Sequence, residues 1–223
     1  PNTRHWVAKR FGWVGELWLP PRCVLCGDAG QRPCLDLCHA CERSLPLAEP
    51  AIVHGPPPLQ ACFAPFAYGY PVDHLVHALK YRGQLAVARV LGVLLGRRLA
   101  AASRDRIIDV VVPVPLHPRR YADRGFNQSA EIARWTARVL SCSVEATLAA
   151  RCRDTQPQVG LRGAERRCNL EGAFAAERAV RGLRVAIVDD VVTTGTGTPD
   201  ALASPRAVKA ADRLDPPSTK IFT

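Results

Sequence analysis

Two groups of reactive side chains stand out along this chain. The first lies in Val185–Asp200, which reads V-A-I-V-D-D-V-V-T-T-G-T-G-T-P-D. An apolar run typical of a buried strand leads into Asp189 and Asp190, and then into Thr193-Thr-Gly-Thr196. Backbone N–H groups of such a loop can wrap around one phosphate, with the hydroxyls of Thr193, Thr194 and Thr196 as further donors. A bulky side chain in place of Gly195 would block the phosphate. Asp189 and Asp190 would then accept hydrogen bonds from adjacent sugar hydroxyls, or hold a magnesium ion bound to them. Phosphate and sugar hydroxyls at that spacing describe a ribose 5-phosphate. A strand ending in a plain acidic turn is the alternative, and the hydroxyl-rich loop argues against it.

The second group is made of thiols. Cys23-Val-Leu-Cys26 is followed, after eleven residues, by Cys38-His-Ala-Cys41. Two Cys-x-x-Cys knuckles let four thiolates converge tetrahedrally on one zinc ion, which stabilises a segment too small to hold itself together. Gly27, Asp28 and Gly30 supply turn chemistry just after the first knuckle. Disulfides would need an oxidising compartment, for which no export signal speaks. Cys34 and His39 fall inside the motif and could replace a ligand, whereas Cys62, Cys142, Cys152 and Cys168 are scattered.

The elements that must position these groups are legible in outline. Residues 49–58 are rich in proline and cannot continue regular structure, so a boundary is expected there. It separates an N-terminal segment, ribbon and linker (1–58) from a larger domain (59–223). Within the larger domain Cys62–Tyr68 could be a strand, and Ile107–Val112 and Leu183–Val188 are β-branched runs of the buried parallel type. Val87, Leu91, Leu94, Leu95 and Leu99 fall at helical spacing, as do Ile132, Trp135, Val139 and Leu140. Strand and helix in alternation predict an open α/β sheet with helices on both faces. Ligands of such sheets sit beyond the carboxyl ends of the strands, where the acid pair falls.

Charge narrows the partners. The formal net charge is +10, and residues 61–184 alone carry 20 basic and 10 acidic side chains, Lys80 being the only lysine among them. Arginine's planar fork suits phosphate, so polyanionic partners are expected, although a solvated arginine-rich face would give the same count. No run approaches the roughly 20 apolar residues of a membrane span, so this is not an integral membrane protein. The basic and apolar residues 4–20 mimic a signal peptide only loosely, because Glu16 interrupts them and no small-residue cleavage site follows. A cytoplasmic protein is expected. Trp6, Trp13 and Trp18 would dock on the protein itself or on a membrane surface.

The acid pair and the threonine-glycine loop closely resemble the 5-phosphoribosyl 1-diphosphate (PRPP) signature of type I phosphoribosyltransferases. The resemblance extends to the ComF family, also called ComFC or amidophosphoribosyltransferase-like competence proteins. It is carried by the paired knuckles, Leu79-Lys-Tyr-Arg-Gly83, Val112-Pro-Val-Pro-Leu-His-Pro-Arg-Arg120 and Arg124-Gly-Phe-Asn-Gln128. Asp154-Thr-Gln-Pro-Gln158, Arg166-Arg-Cys-Asn-Leu170 and Gly172-Ala-Phe174 continue it, so that it covers roughly residues 20 to 197. It implies a zinc ribbon fused to a type I phosphoribosyltransferase-like domain that binds PRPP with magnesium. It also implies a role in DNA uptake during natural transformation, with single-stranded DNA as a partner beside competence helicase or membrane-channel proteins.

The residues of these motifs agree with that implication. Pro113 and Pro115 would turn the chain after its strand and produce a diphosphate loop, with Arg119, Arg120 and Arg124 near the phosphates. His117 reads as a loop histidine or a phosphate contact, and Lys80 as a helix-end lysine or a phosphate contact. Asn127 or Ser129 would cap the next helix, and Phe126 would pack. Residues 151–172 resemble the mobile hood that closes over PRPP. The end departs from the pattern: after the phosphate loop, Pro199 and Pro205 interrupt the helix that should follow, and the tail from about 198 reads as irregular. Two function classes follow. One is a PRPP-binding protein that handles single-stranded DNA. The other is an active phosphoribosyltransferase, with Asp189 and Asp190 in its catalytic centre and a nucleobase or amine as acceptor.

Overall fold

A computed structural model describes residues 21–48, 61–102, 108–151 and 183–191, and as strand backbone also 52–53, 174–176 and 219–222. The loop Thr193–Thr196, nearly all of the hood, most of the tail, the N-terminal tryptophans and most of the linker lie outside the described residues. The chain divides into two compact units, Pro1–Leu45 and Pro46–Thr223.

In the first unit, the described residues form two tight turns and a short helix, α1 (His39–Arg43). Gly27 takes φ +81°, and its N–H donates to Cys23 O at 2.9 Å, closing the first knuckle. A side chain at that φ would be strained, which is why glycine ends the turn. Leu35, Leu37 and Leu45 are buried, a small core for so short a segment.

The second unit is built on a six-stranded sheet. Its strands are β1 (Ile52–Val53), β2 (Cys62–Phe63), β3 (Val110–Pro113), β4 (Ser143–Val144), β7 (Val185–Val188) and β8 (Thr219–Phe222). The spatial order is β1-β2-β8-β7-β3-β4; all neighbours run parallel except β1 and β2. The tail thus ends in a strand of the sheet rather than in irregular chain. β8 lies between β2 and β7, and its four residues Thr219–Phe222 pair with β7 throughout. Two further strands, β5 (Ala149–Arg151) and β6 (Phe174–Ala176), form an antiparallel pair of their own.

Among the described residues, four helices accompany the strands: α2 (Val72–Arg82), α3 (Leu85–Ala102), α4 (Pro118–Arg124) and α5 (Gln128–Leu140). The apolar spacing predicts α3 and α5. Helix α2 adds to them with Val72, Leu75, Val76 and Leu79 on its buried stripe. Helix α5 packs on β3, β4 and β7, and α3 packs on α5. That second contact is close because Gly92 and Gly96 carry no side chain: a Cβ at Gly92 would sit 2.5 Å from Ile132 O. Thr136, fully buried there, donates its hydroxyl to Gly92 O (3.1 Å) and Ile132 O (3.0 Å), so the approach leaves no unpaired hydroxyl donor. Val110, Val112, Leu148 and Val185 form an apolar cluster, with Ala149 and Ile187 packed against it.

Candidate metal centre and a cleft lined by acids and cations

The thiol group assembles as its spacing predicts. The Sγ atoms of Cys23, Cys26, Cys38 and Cys41 all lie within 4.8 Å of one another, and those of Cys26 and Cys38 are 3.7 Å apart. Four sulfurs about 2.3 Å from a tetrahedral ion would be separated by ~3.8 Å. A disulfide needs about 2.05 Å, so these cysteines are not bridged. Burial opposes ionisation of Cys23, but backbone N–H groups of Cys38, Cys26 and Leu25 outweigh it and bring that thiol down to about 6. Cys38 caps α1, its sulfur accepting from Cys41 N–H at 3.4 Å. Backbone donors favour the thiolate at Cys23, whereas burial and the neighbouring thiols push Cys41 up; four such sulfurs fit an ion such as zinc, whose charge would displace their protons. Cys34 and His39 stay outside the cluster.

In the second unit, β3 and β7 pair from Val110↔Val185 to Pro113↔Val188, so both chains leave the sheet side by side at its carboxyl end. Val114 N–H still donates to Val188 O at 2.9 Å. Beyond this end opens a cleft of about 830 Å³. Asp189 and Asp190 line it together with Lys80, Tyr81, Arg120 and Arg124.

Each acid has its own partner. Ser129, in the first turn of α5 and 1% exposed, donates its hydroxyl to Asp189 Oδ1 at 2.9 Å, and Asp190 N–H donates to the same oxygen at 2.8 Å. Burial, and after it the charge of Asp190, pushes the Asp189 carboxyl up to about 7, against these hydrogen bonds and the Lys80 charge. Asp190 is enclosed, and Lys80 Nζ lies 2.8 Å from its Oδ2. Lys80 therefore is a helix-end lysine, in the last turn of α2, that reaches the acid pair.

The arginines sit on a helix rather than in a loop. Pro113 ends β3, four residues turn, and Pro118 opens α4, where its missing N–H costs nothing. His117 caps this helix, Nδ1 accepting from Arg119 N–H at 3.3 Å. Four residues apart on one helix, Arg120 and Arg124 share a face and both line the cleft. Arg119, turned away by one position, is exposed and outside the lining. Arg124 is fixed from two sides: it donates to Gln128 Oε1 at 2.6 Å, and its guanidinium lies 5.9 Å from the centre of the Tyr81 ring. Asn127 caps α5, its side-chain oxygen accepting from Ser129 and Ala130 N–H while its amide donates to Val114 O at 3.0 Å. That amide ties the strand's exit to the helix presenting Ser129. Phe126 is half-buried on the cleft wall.

Sequence reasoning offered Lys80 as a helix-end lysine or a phosphate contact but not as the partner of Asp190, and it did not assign Ser129 to the site. A weak signal was available for Lys80, in Leu79-Lys-Tyr-Arg-Gly83, where a glycine ends a helix just after a cluster of cations. None marked Ser129 apart from its closeness to the cap. Among the described residues, no helix is long and apolar enough to cross a membrane.

No family model matches the chain. Among curated proteins, it is 37% identical over 182 residues to DNA utilization protein YhgH of Salmonella typhimurium strain LT2, covering 78% of this chain and 79% of that protein. The protein of the same name from Escherichia coli strain K12 is 38% identical over 144 residues, 63% of each chain. Competence protein F of Haemophilus influenzae is 32% identical over 135 residues, 58% of this chain and 59% of that protein. Relatives of this closeness, found along a chain with paired knuckles and an acid-ended strand, show that it belongs to the ComF family.

Proposed function

We infer that the cleft binds PRPP with magnesium and that the protein serves DNA utilisation by handling single-stranded DNA. One observation carries the first part: an adjacent acid pair leaves the carboxyl end of a parallel strand opposite two arginines that share a helix face. In this reading Asp189 and Asp190 take the ribose hydroxyls and their magnesium, Thr193–Thr196 the 5-phosphate, and Arg120 and Arg124 the diphosphate, with Arg119 at its edge. Lys80 must release Asp190 when the sugar arrives, and a phosphate oxygen is the natural new partner for its ammonium. The second part rests on the names of the relatives, "DNA utilization protein" and "Competence protein", together with the basic middle of the chain.

Calorimetry with PRPP and magnesium tests the site. Asp189→Asn with Asp190→Asn keeps shape and removes two negative charges. The affinity should fall by more than the ~1 kcal/mol of a neutral hydrogen bond. Binding that needs Asp189 as an anion must also expel the proton it holds up to about pH 7. Affinity should therefore rise between pH 6 and 8, and an unchanged affinity over that range would count against Asp189 as a ligand.

A second reading is transfer of the phosphoribosyl group to a nucleobase or amine. It is favoured by the arginine pair, which could stabilise the charge of departing diphosphate. Diphosphate release from PRPP on adding nucleobases or amines would establish it.

A further inference from the structure

The chain has four tyrosines, and all four are exposed: Tyr68 at 62%, Tyr70 at 80%, Tyr81 at 65% and Tyr121 at 52%. Tyrosine is ordinarily a partly buried residue with a large apolar face, so four rings left in water ask for a partner. Two of them, Tyr68 and Tyr81, line the cleft. Tyr70 lies two residues beyond Tyr68, and Tyr121 follows Arg120 on α4. Tyr81 is held in place, with the His77 ring 4.6 Å away at 42° and the Arg124 guanidinium 5.9 Å from its centre. The same surface carries Lys80, Arg82, Arg120 and Arg124.

PRPP does not account for this rim, because a ribose and its phosphates offer no flat apolar face. A nucleobase does. A single base, such as the acceptor of a transferase, would stack on one ring and leave the outer cations unused. Bases that follow one another along an unpaired strand could use both Tyr68 and Tyr81, while the phosphates between them meet the cations. Alternating π-faces and cations are how single strands are held without reading their sequence, and in a duplex those base faces are already stacked.

We propose that the tyrosine rim and the cleft cations together form a binding surface for single-stranded DNA, and that a strand and PRPP exclude one another there. The exclusion rests on the PRPP reading above, since both ligands need Arg120 and Arg124. PRPP then acts as a release signal for the strand, and a bound strand keeps the cleft from PRPP.

Anisotropy of a fluorescein-labelled oligothymidylate of about twenty residues tests this on the full chain, with the tyrosine variants at exposed positions and far-UV circular dichroism checking that the arginine variants fold. Tyr68→Ala combined with Tyr81→Ala should weaken binding at least fivefold at fixed salt and leave its salt dependence intact. Arg120→Gln with Arg124→Gln should instead flatten the salt dependence, by roughly 0.7 in log–log slope for each lost phosphate contact. PRPP with magnesium should displace the oligonucleotide at concentrations matching its calorimetric dissociation constant. Tyrosine variants that bind like the wild type would overturn the surface, as would free thymidine competing as well per base as the oligonucleotide. A ternary complex would overturn the exclusion. If calorimetry detects no PRPP binding at all, the sugar-phosphate reading and the exclusion fall together, while the tyrosine variants still decide the strand surface.

Discussion

Replacing Lys80 by methionine keeps the apolar stem and removes the charge that Asp190 faces. Two unit charges 2.8 Å apart attract by about 6 kcal/mol at an effective dielectric constant of 20, and most of that offsets the desolvation of the pair. Breaking one partner of a fully buried pair costs about 3–5 kcal/mol, and of an exposed pair at most about 1. Here the Lys80 side chain is 25% exposed and that of Asp190 8%. Lys80→Met should therefore destabilise the second unit by about 2–3 kcal/mol at pH 8. The pH dependence has a definite sign. Asp189 rises from 3.8 to about 7 on folding, so the folded state holds the extra proton, and stability is lost as pH climbs through that window. Without Lys80 the Asp189 carboxyl moves further up, and the loss extends to higher pH. At pH 5 Asp189 carries its proton and no longer adds its charge to the imbalance, so the penalty should be smaller than at pH 8. Urea denaturation followed by far-UV circular dichroism at pH 5 and 8, with Lys80→Arg as the charge-keeping control, measures this. A variant within about 0.5 kcal/mol of the wild type at pH 8, or a penalty that grows toward pH 5, would refute the reasoning.

Two other outcomes follow from packing and metal chemistry. Metal analysis should find about one zinc per chain, and Cys38→Ser should remove it while the second unit's denaturation stays unchanged; stoichiometric zinc in that variant would redirect attention to Cys34 or His39. Gly92→Ala places a Cβ 2.5 Å from Ile132 O and 2.7 Å from Trp135 Cβ. Despite alanine's better helix propensity it should cost about 1–3 kcal/mol, whereas Gly69→Ala, with open space around it, should stay within about 0.5 in the same denaturation assay.

Features decided within a few residues were readable from the sequence alone. The two knuckles close over short turns, so their spacing already implied that four sulfurs meet. β-branched runs marked β3 and β7, and a helical apolar period marked α3 and α5, because burial on one face imposes those periods. The cap at Asn127 and the acid pair after a strand are equally local. Tertiary structure decided what required distant segments to meet. Proline-rich chain hid α4, and only its helical turn separates Arg120 and Arg124 from Arg119. The tail's prolines masked a strand whose existence depends on pairing with β7 and β2 rather than on its own four residues. Ser129 finds Asp189 across 60 positions, and Lys80 finds Asp190 from another helix. Neither contact leaves a trace in spacing, because a side chain's partner across the fold is set by how α2 and α5 dock at the carboxyl end of the sheet. The acids were visible in the sequence, whereas the counter-charge beside Asp190 and the raised proton affinity of Asp189 came only with burial.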